Sequence, residues 1–207
     1  EISTRDWSSD VCSSDLDAYL SESLLRQGTV LPMAPGRHRA LLTSGAVGDL
    51  MVDLWWQASA REAVEGRSVF SKTGGGTRIG ERLSSQAATL SSDPMDPELA
   101  CATFLATAAT SDHASVFDNG ARLTGTDWIA DGVLTNLMAG RAFAERNDLP
   151  FVASADNIRM RIDGSSGGLD ELAAGMGDGV IITCLWYNRV VDPQTMLLTG
   201  LTRDGGF

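Results

Sequence analysis

Two histidines, three cysteines and one pair of aspartates a helical turn apart are the side chains of this 207-residue chain with chemistry to offer. A zinc peptidase needs two imidazoles on one helix face and a glutamate to activate the metal-bound water. His38 and His113 are far apart, and neither is followed by glutamate. His38 lies in Arg37-His38-Arg39, which reads as a solvated basic edge at a strand start. His113 lies in Ser111-Asp112-His113-Ala114-Ser115. Adjacent Ser, His and Asp make no triad, because a triad is defined by geometry, so this is read as a polar loop. Cys101 and Cys184 sit in apolar contexts without a basic neighbour, and are expected as small buried hydrophobes rather than reactive thiols. Asp49 and Asp53 share a helix face. They are expected on the solvated side, although the pair is also half of a carboxylate metal site, or a contact for a partner or substrate. Trp55 and Trp56 point about 100° apart on a helix, so both fit one core only on a wide face; the core is the expected place, with one tryptophan facing a partner as the alternative. Lys72-Thr73-Gly74-Gly75-Gly76 lacks the order of a phosphate-cradling loop and is expected as a mobile loop.

Composition narrows the classes. With 27 acidic against 16 basic residues the net charge is −11, so no nucleic-acid partner is expected. At 43% hydrophobic residues the chain can bury a core without a staple. No apolar run approaches the length of a membrane span, so no membrane partner is expected. Three cysteines do not make a disulfide framework, and a cytoplasmic setting follows as the expectation. Residues 1–16 (EISTRDWSSDVCSSDL) show no periodicity. Within them RDWSSDVCSSDL resembles the translation of a sequencing adapter, so residues 1–16 are expected to be a disordered artefact, carrying Trp7 and Cys12 with them. Residues 17–207 are then expected to be a partial domain, cut at both ends.

Elements must position these side chains. The pattern predicts a short helix over 21–27, a strand over 37–43 and a long helix over 46–65. In that helix Val47, Leu50, Met51, Leu54, Trp55 and Ala58 form one stripe. A strand is predicted over 86–90 and a turn-rich loop over 91–97. Asn119-Gly120 predicts a hairpin over 115–124. A second long helix is predicted over 126–145, with a split at Asp131-Gly132 into strand end plus helix as the alternative. An extended segment over 151–162, a helix over 169–176, a buried strand over 180–187 and a strand over 196–202 complete the pattern. Without regular β-α-β alternation the fold class is α+β: mixed antiparallel sheets with a few long helices.

Three segments in order, EGRSVFS at 65–71, FDNGARLTGTDWIADGV at 117–133 and GVIITCLWYNRVVDPQTMLLTGLTRDG at 179–205, resemble the C-terminal region of the TldD/PmbA family. The resemblance implies a cytoplasmic two-subunit peptidase acting on peptides or unfolded protein. One subunit type, TldD, carries H-E-x-x-x-H and zinc; the PmbA or TldE type shares the fold, lacks those ligands and completes the substrate chamber. The motif's place falls on MVDLWW at 51–56, where Met51, Val52 and Trp56 stand without histidine or glutamate. The resemblance therefore implies no catalytic residue and no cofactor in this chain, and a zinc-bearing TldD-type partner. Asp49, Asp53, Trp55 and Trp56 become candidates for partner or substrate contact. The family's further zinc-binding cysteine lies beyond residue 207, so Cys184 does not inherit that role. The alternatives are a hydrolase with its own carboxylate site and a regulatory binding module without proteolysis.

Overall fold

The structure, a computed structural model, describes residues 32–202 together with Asp17, Leu20, Ser21 and Leu25. Expectations for residues 1–16 and for the chain's last five residues lie outside the described residues. So does most of the helix predicted over 21–27, of which Ser21 and Leu25 are helical.

Strand β1 (Ala40–Leu42) runs into helix α1 (Ser44–Trp56), where Thr43 caps the helix by accepting from the Ala46 N–H. The single helix predicted over 46–65 is instead two. Between Trp56 and Ala60 the backbone leaves the helical path and bonds to Met138 from both sides: Met138 N–H donates to the Ala58 carbonyl at 2.7 Å, and Ala60 N–H donates to the Met138 carbonyl at 2.8 Å. Ser59 then caps helix α2 (Ala60–Val64) through the Glu62 N–H. A nonlocal ladder outcompetes one more turn of helix because it buries Ala58, Ala60 and Met138 together.

The second long helix, predicted over 126–145, is absent. In its place β3 (Thr126–Ala130) turns through Asp131 and Gly132 into β4 (Val133–Leu134), and only α3 (Arg141–Arg146) is helical. The alternative split at Asp131-Gly132 is the one that forms. Asp131 has φ 49° and Gly132 φ 80°, the paired positive values of a two-residue hairpin turn. A Cβ at residue 132 would stand 2.5 Å from the Ser84 carbonyl oxygen, so only glycine fits. With β2 (Ala88–Ser92) and β5 (Arg159–Ile162) these strands make an antiparallel sheet in the order β4-β3-β2-β5.

The hairpin predicted over 115–124 is also replaced. Val116–Asp118 is a short 3-10 helix, and Asn119 (φ −52°) with Gly120 (φ 83°) forms a turn that needs positive φ only at glycine. The chain beyond it pairs with residues 103–105 rather than with 115–117. Asp118, buried here, caps α3 from a distance: its Oδ2 accepts from the Arg141 N–H at 3.1 Å, because Gly140 at the N-cap has no side chain.

The predicted strand over 180–187 divides at Thr183-Cys184. Strand β6 (Val180–Ile182) pairs in parallel with β1, and β7 (Leu185–Asp192) forms a hairpin with β8 (Leu197–Thr202). Its residues are half-buried or exposed, not buried as expected. Helix α4 (Leu169–Met176) stands as predicted and ends at Gly177, φ 71°. The class is α+β, with one helix longer than eight residues among the described elements.

The core gathers Trp128, Leu134, Leu137, Met138, Phe70 and Leu90 against the alanines of α2. Trp128 is the largest fully buried side chain, and its indole N–H donates to Ser92 Oγ at 2.8 Å. Ser92 in turn donates to the Asn157 carbonyl, so every polar atom in the relay is satisfied. Replacing Ser92 by alanine orphans a buried N–H and a carbonyl. We expect Ser92→Ala to lower unfolding free energy by about 1–3 kcal/mol in urea titration.

At the start of β5 the Arg159 guanidinium grips Asp96 with two bonds, 2.8 and 2.9 Å, and reaches Glu98 at 2.8 Å. Arg159, helped by the backbone N–H groups of Glu98 and Leu99, lowers the Asp96 carboxyl from 3.8 to about 2. A depressed carboxyl contributes stability that is full above pH 3.8 and lost as pH falls through about 2. The stability gap between the native protein and Arg159→Met is expected to be constant above pH 5 and to close below pH 4. Denaturant midpoints of both proteins across that range check it.

Candidate functional site

Helix α1 and strand β7 face each other across an open groove of about 590 Å³. Two aspartates hold the strand to the helix. Asp49 Oδ2 accepts from the Leu185 backbone N–H, and Asp53 Oδ2 accepts from Asn188 Nδ2, both at 2.9 Å. The solvated face expected for this pair is not what forms: Asp53 is 5% exposed, and Asp49 is half-buried. The apolar stripe of α1 is meanwhile mostly half-buried, with only Ala46 and Asp53 buried within the helix.

A bulge in β7 makes the second bond possible. Trp186 pairs with Leu201 and Arg189 with Thr199, leaving Tyr187 and Asn188 opposite Gly200 alone. Tyr187 takes φ 53°, unusual for an aromatic residue, and lines the groove. A Cβ at residue 200 would run into Asn188 Oδ1, so Gly200 gives Asn188 its room. Bulge, glycine and buried carboxylate act as one device that fixes the groove's strand wall.

Met51, Val52 and Trp56, the residues expected in the place of the metal motif, line this groove with Gly45, Gly48, Ile158, Leu185, Trp186 and Tyr187. Trp56 is 53% exposed. Trp55 turns the other way, packs against the core and stacks on His113 with ring centroids 6.5 Å apart. One tryptophan inside and one outside is the alternative division rather than the core placement expected for the pair. His113 is not merely a polar loop residue: its Nε2 lies 2.8 Å from the Trp56 carbonyl oxygen. Since that oxygen can only accept, Nε2 carries the proton and closes the C-terminus of α1. His38 lies elsewhere, bonded to the Ala34 carbonyl. Cys101 and Cys184 are half-buried free thiols. The glycine loop closes on itself, Lys72 N–H to the Gly76 carbonyl and Gly75 N–H to the Lys72 carbonyl, both 3.0 Å.

Sequence reasoning did not find Tyr187, Asn188 or Ile158. The readable signal for the first two was an asparagine and a glycine at facing positions of two adjacent strands, a bulge pattern.

The donor set does not suit a catalytic zinc. Such an ion takes three protein ligands, usually with imidazole or thiolate among them. The groove offers two carboxylates, each already accepting a hydrogen bond, and no histidine or cysteine. Among the described residues no three His, Cys, Asp or Glu side chains converge as a metal site. Among the same residues no helix is long and apolar enough to cross a membrane.

Comparison with known proteins places the fold. A protein from Thermotoga maritima described as a modulator of a DNA gyrase superposes with TM-score 0.52 at 18% identity, over 75% of this chain and 34% of that one. A Bacteroides thetaiotaomicron protein of the same description gives 0.61 at 14% identity, over 89% and 42%. TldE from Thermococcus kodakarensis gives 0.52 at 15% identity, over 83% and 38%. At these identities the likeness is one of fold, and the chain spans about two fifths or less of each structure's length. No curated protein matches. The family model of the PmbA/TldA metallopeptidase C-terminal domain matches residues 35–207, and the chain belongs to that family.

Proposed function

We propose that this protein is a non-metal-binding, PmbA/TldE-like subunit of a TldD-type metallopeptidase, holding peptide or unfolded-protein substrate for a zinc-bearing TldD-type partner. The observation that carries this reading is the wall of α1. Where a metal-binding subunit would present H-E-x-x-x-H, this helix presents Met51, Val52 and Trp56 to an open groove, and spends its carboxylates on Leu185 and Asn188. The scaffold of a peptide-handling cleft remains while the ligand chemistry is missing.

Residues of this chain then bind and orient. The two-stranded β7–β8 sheet has an open edge on each strand among the described residues, and an extended peptide can add there through backbone hydrogen bonds. Exposed Trp56, Tyr187, Val191 and Leu201 supply apolar contact on the same region. Hydrolysis falls to the partner, whose zinc would polarise the scissile carbonyl and activate water. The acidic net charge argues for a protein partner rather than nucleic acid, and the free thiols at Cys101 and Cys184 suit the cytoplasm.

The test is co-expression of the full-length gene product with a TldD-type subunit carrying H-E-x-x-x-H. The two are expected to co-elute, with peptidase activity only in the mixture and zinc only in the partner. Stoichiometric zinc on this subunit purified alone overturns the assignment.

A further inference from the structure

We propose that the α1–β7 groove is a subsite for a basic side chain, the lysine or arginine of an extended peptide. This rests on the peptide-holding reading above and adds to it a preference for charge.

The buried carboxylate is the starting point. Asp53 is 5% exposed and lines the groove, yet its hydrogen-bond partner is the neutral amide of Asn188. Asp49, one turn away on the same face, bonds to a neutral backbone N–H. Among the described residues neither meets a cation, and no lysine, arginine or histidine lines the groove. Elsewhere the chain pairs its well-placed acids with arginine: Asp96 and Glu98 with Arg159, buried Asp118 with Arg141, Glu62 and Glu65 with Arg67. A buried charge without a counter-charge is costly, and an incoming cation relieves that cost.

The walls suit the rest of such a side chain. Met51 and Val52 offer apolar surface for an aliphatic stem, and Trp56 and Tyr187 bring aromatic side chains to the same groove, where a cationic head is attracted. A groove of about 590 Å³ has room for one long side chain and its flanking backbone. A divalent metal fits less well. Asn188 turns its amide nitrogen to Asp53 and its oxygen toward Gly200, so the two aspartates are left as the oxygen donors, where calcium takes six to eight. An acidic side chain would be repelled, and an apolar one would leave Asp53 without a counter-ion.

Isothermal titration of the 207-residue chain with end-blocked hexapeptides tests this, using alanine peptides with one central arginine, norleucine or glutamate. The arginine peptide is expected to bind about tenfold more tightly than the norleucine peptide, with glutamate weakest. The arginine advantage should shrink at high salt and vanish in Asp53→Asn, whose amide oxygen still accepts from Asn188. Should Asp53→Asn fail its thermal melt, Asp49→Asn is the second variant, expected to reduce the same advantage. Equal binding of the arginine and norleucine peptides overturns the proposal, as does an arginine preference that survives both variants. Displacement of the arginine peptide by stoichiometric magnesium or calcium overturns it in favour of a metal site. Loss of charge preference in a chain that still assembles with a TldD-type partner sinks the subsite alone; failure to assemble with arginine preference intact sinks only the subunit assignment.

Discussion

Two backbone hydrogen bonds, one on each side of Met138, tie the segment between α1 and α2 to the strand region that follows β4. Much of the domain's arrangement depends on them. They stop α1 at Trp56, because Ala58 and Ser59 cannot remain helical while the backbone on either side of Ser59 bonds to Met138. They bring the alanines of α2 onto Leu134, Leu137 and Met138, where small side chains permit close approach. They also set where α1 points, and so where its outer face meets β7. His113 reinforces the stop by donating to the Trp56 carbonyl, which the interrupted helix leaves without an intrahelical partner.

How much of this was legible in the sequence differs from element to element for physical reasons. Helix α1 and helix α4 were readable because their signals are local: apolar spacing in the first, acids in the first turn and glycine past the end in the second. The region 126–145 misled because Ile129, Val133, Leu134, Leu137 and Met138 fall at helical intervals by coincidence. On strand and extended backbone instead, Leu134, Leu137 and Met138 are buried and Ile129 and Val133 half-buried, and the turn signal at Asp131-Gly132 outweighed the spacing. Asn119-Gly120 carried the same signal, yet took a turn needing positive φ only once, because residues 103–105 supplied the pairing strand. Register with a distant segment is not written in a local window.

The groove was half legible. Met51, Val52 and Trp56 stood out through the missing metal motif, and Asp49 and Asp53 through their spacing. What a carboxylate does depends on what meets it, and Leu185 and Asn188 lie more than a hundred residues further along. The expected solvated face became an anchor because β7 came to cover it. The helix has not been left idle: its acids now hold a strand, and its apolar residues now form a wall.

The facing of Gly200 and Asn188 has a consequence for how the hairpin finds its alignment. Two-stranded ribbons are prone to slide, since each shift by two residues keeps the same face outward. Sliding β8 along β7 by two would carry Leu198 or Thr202 into the place of Gly200. Either side chain would strike the Asn188 amide, which Asp53 holds still. The glycine thus works as a keyway: one alignment passes and its neighbours jam, so a ribbon with little core of its own is indexed by a missing methyl group.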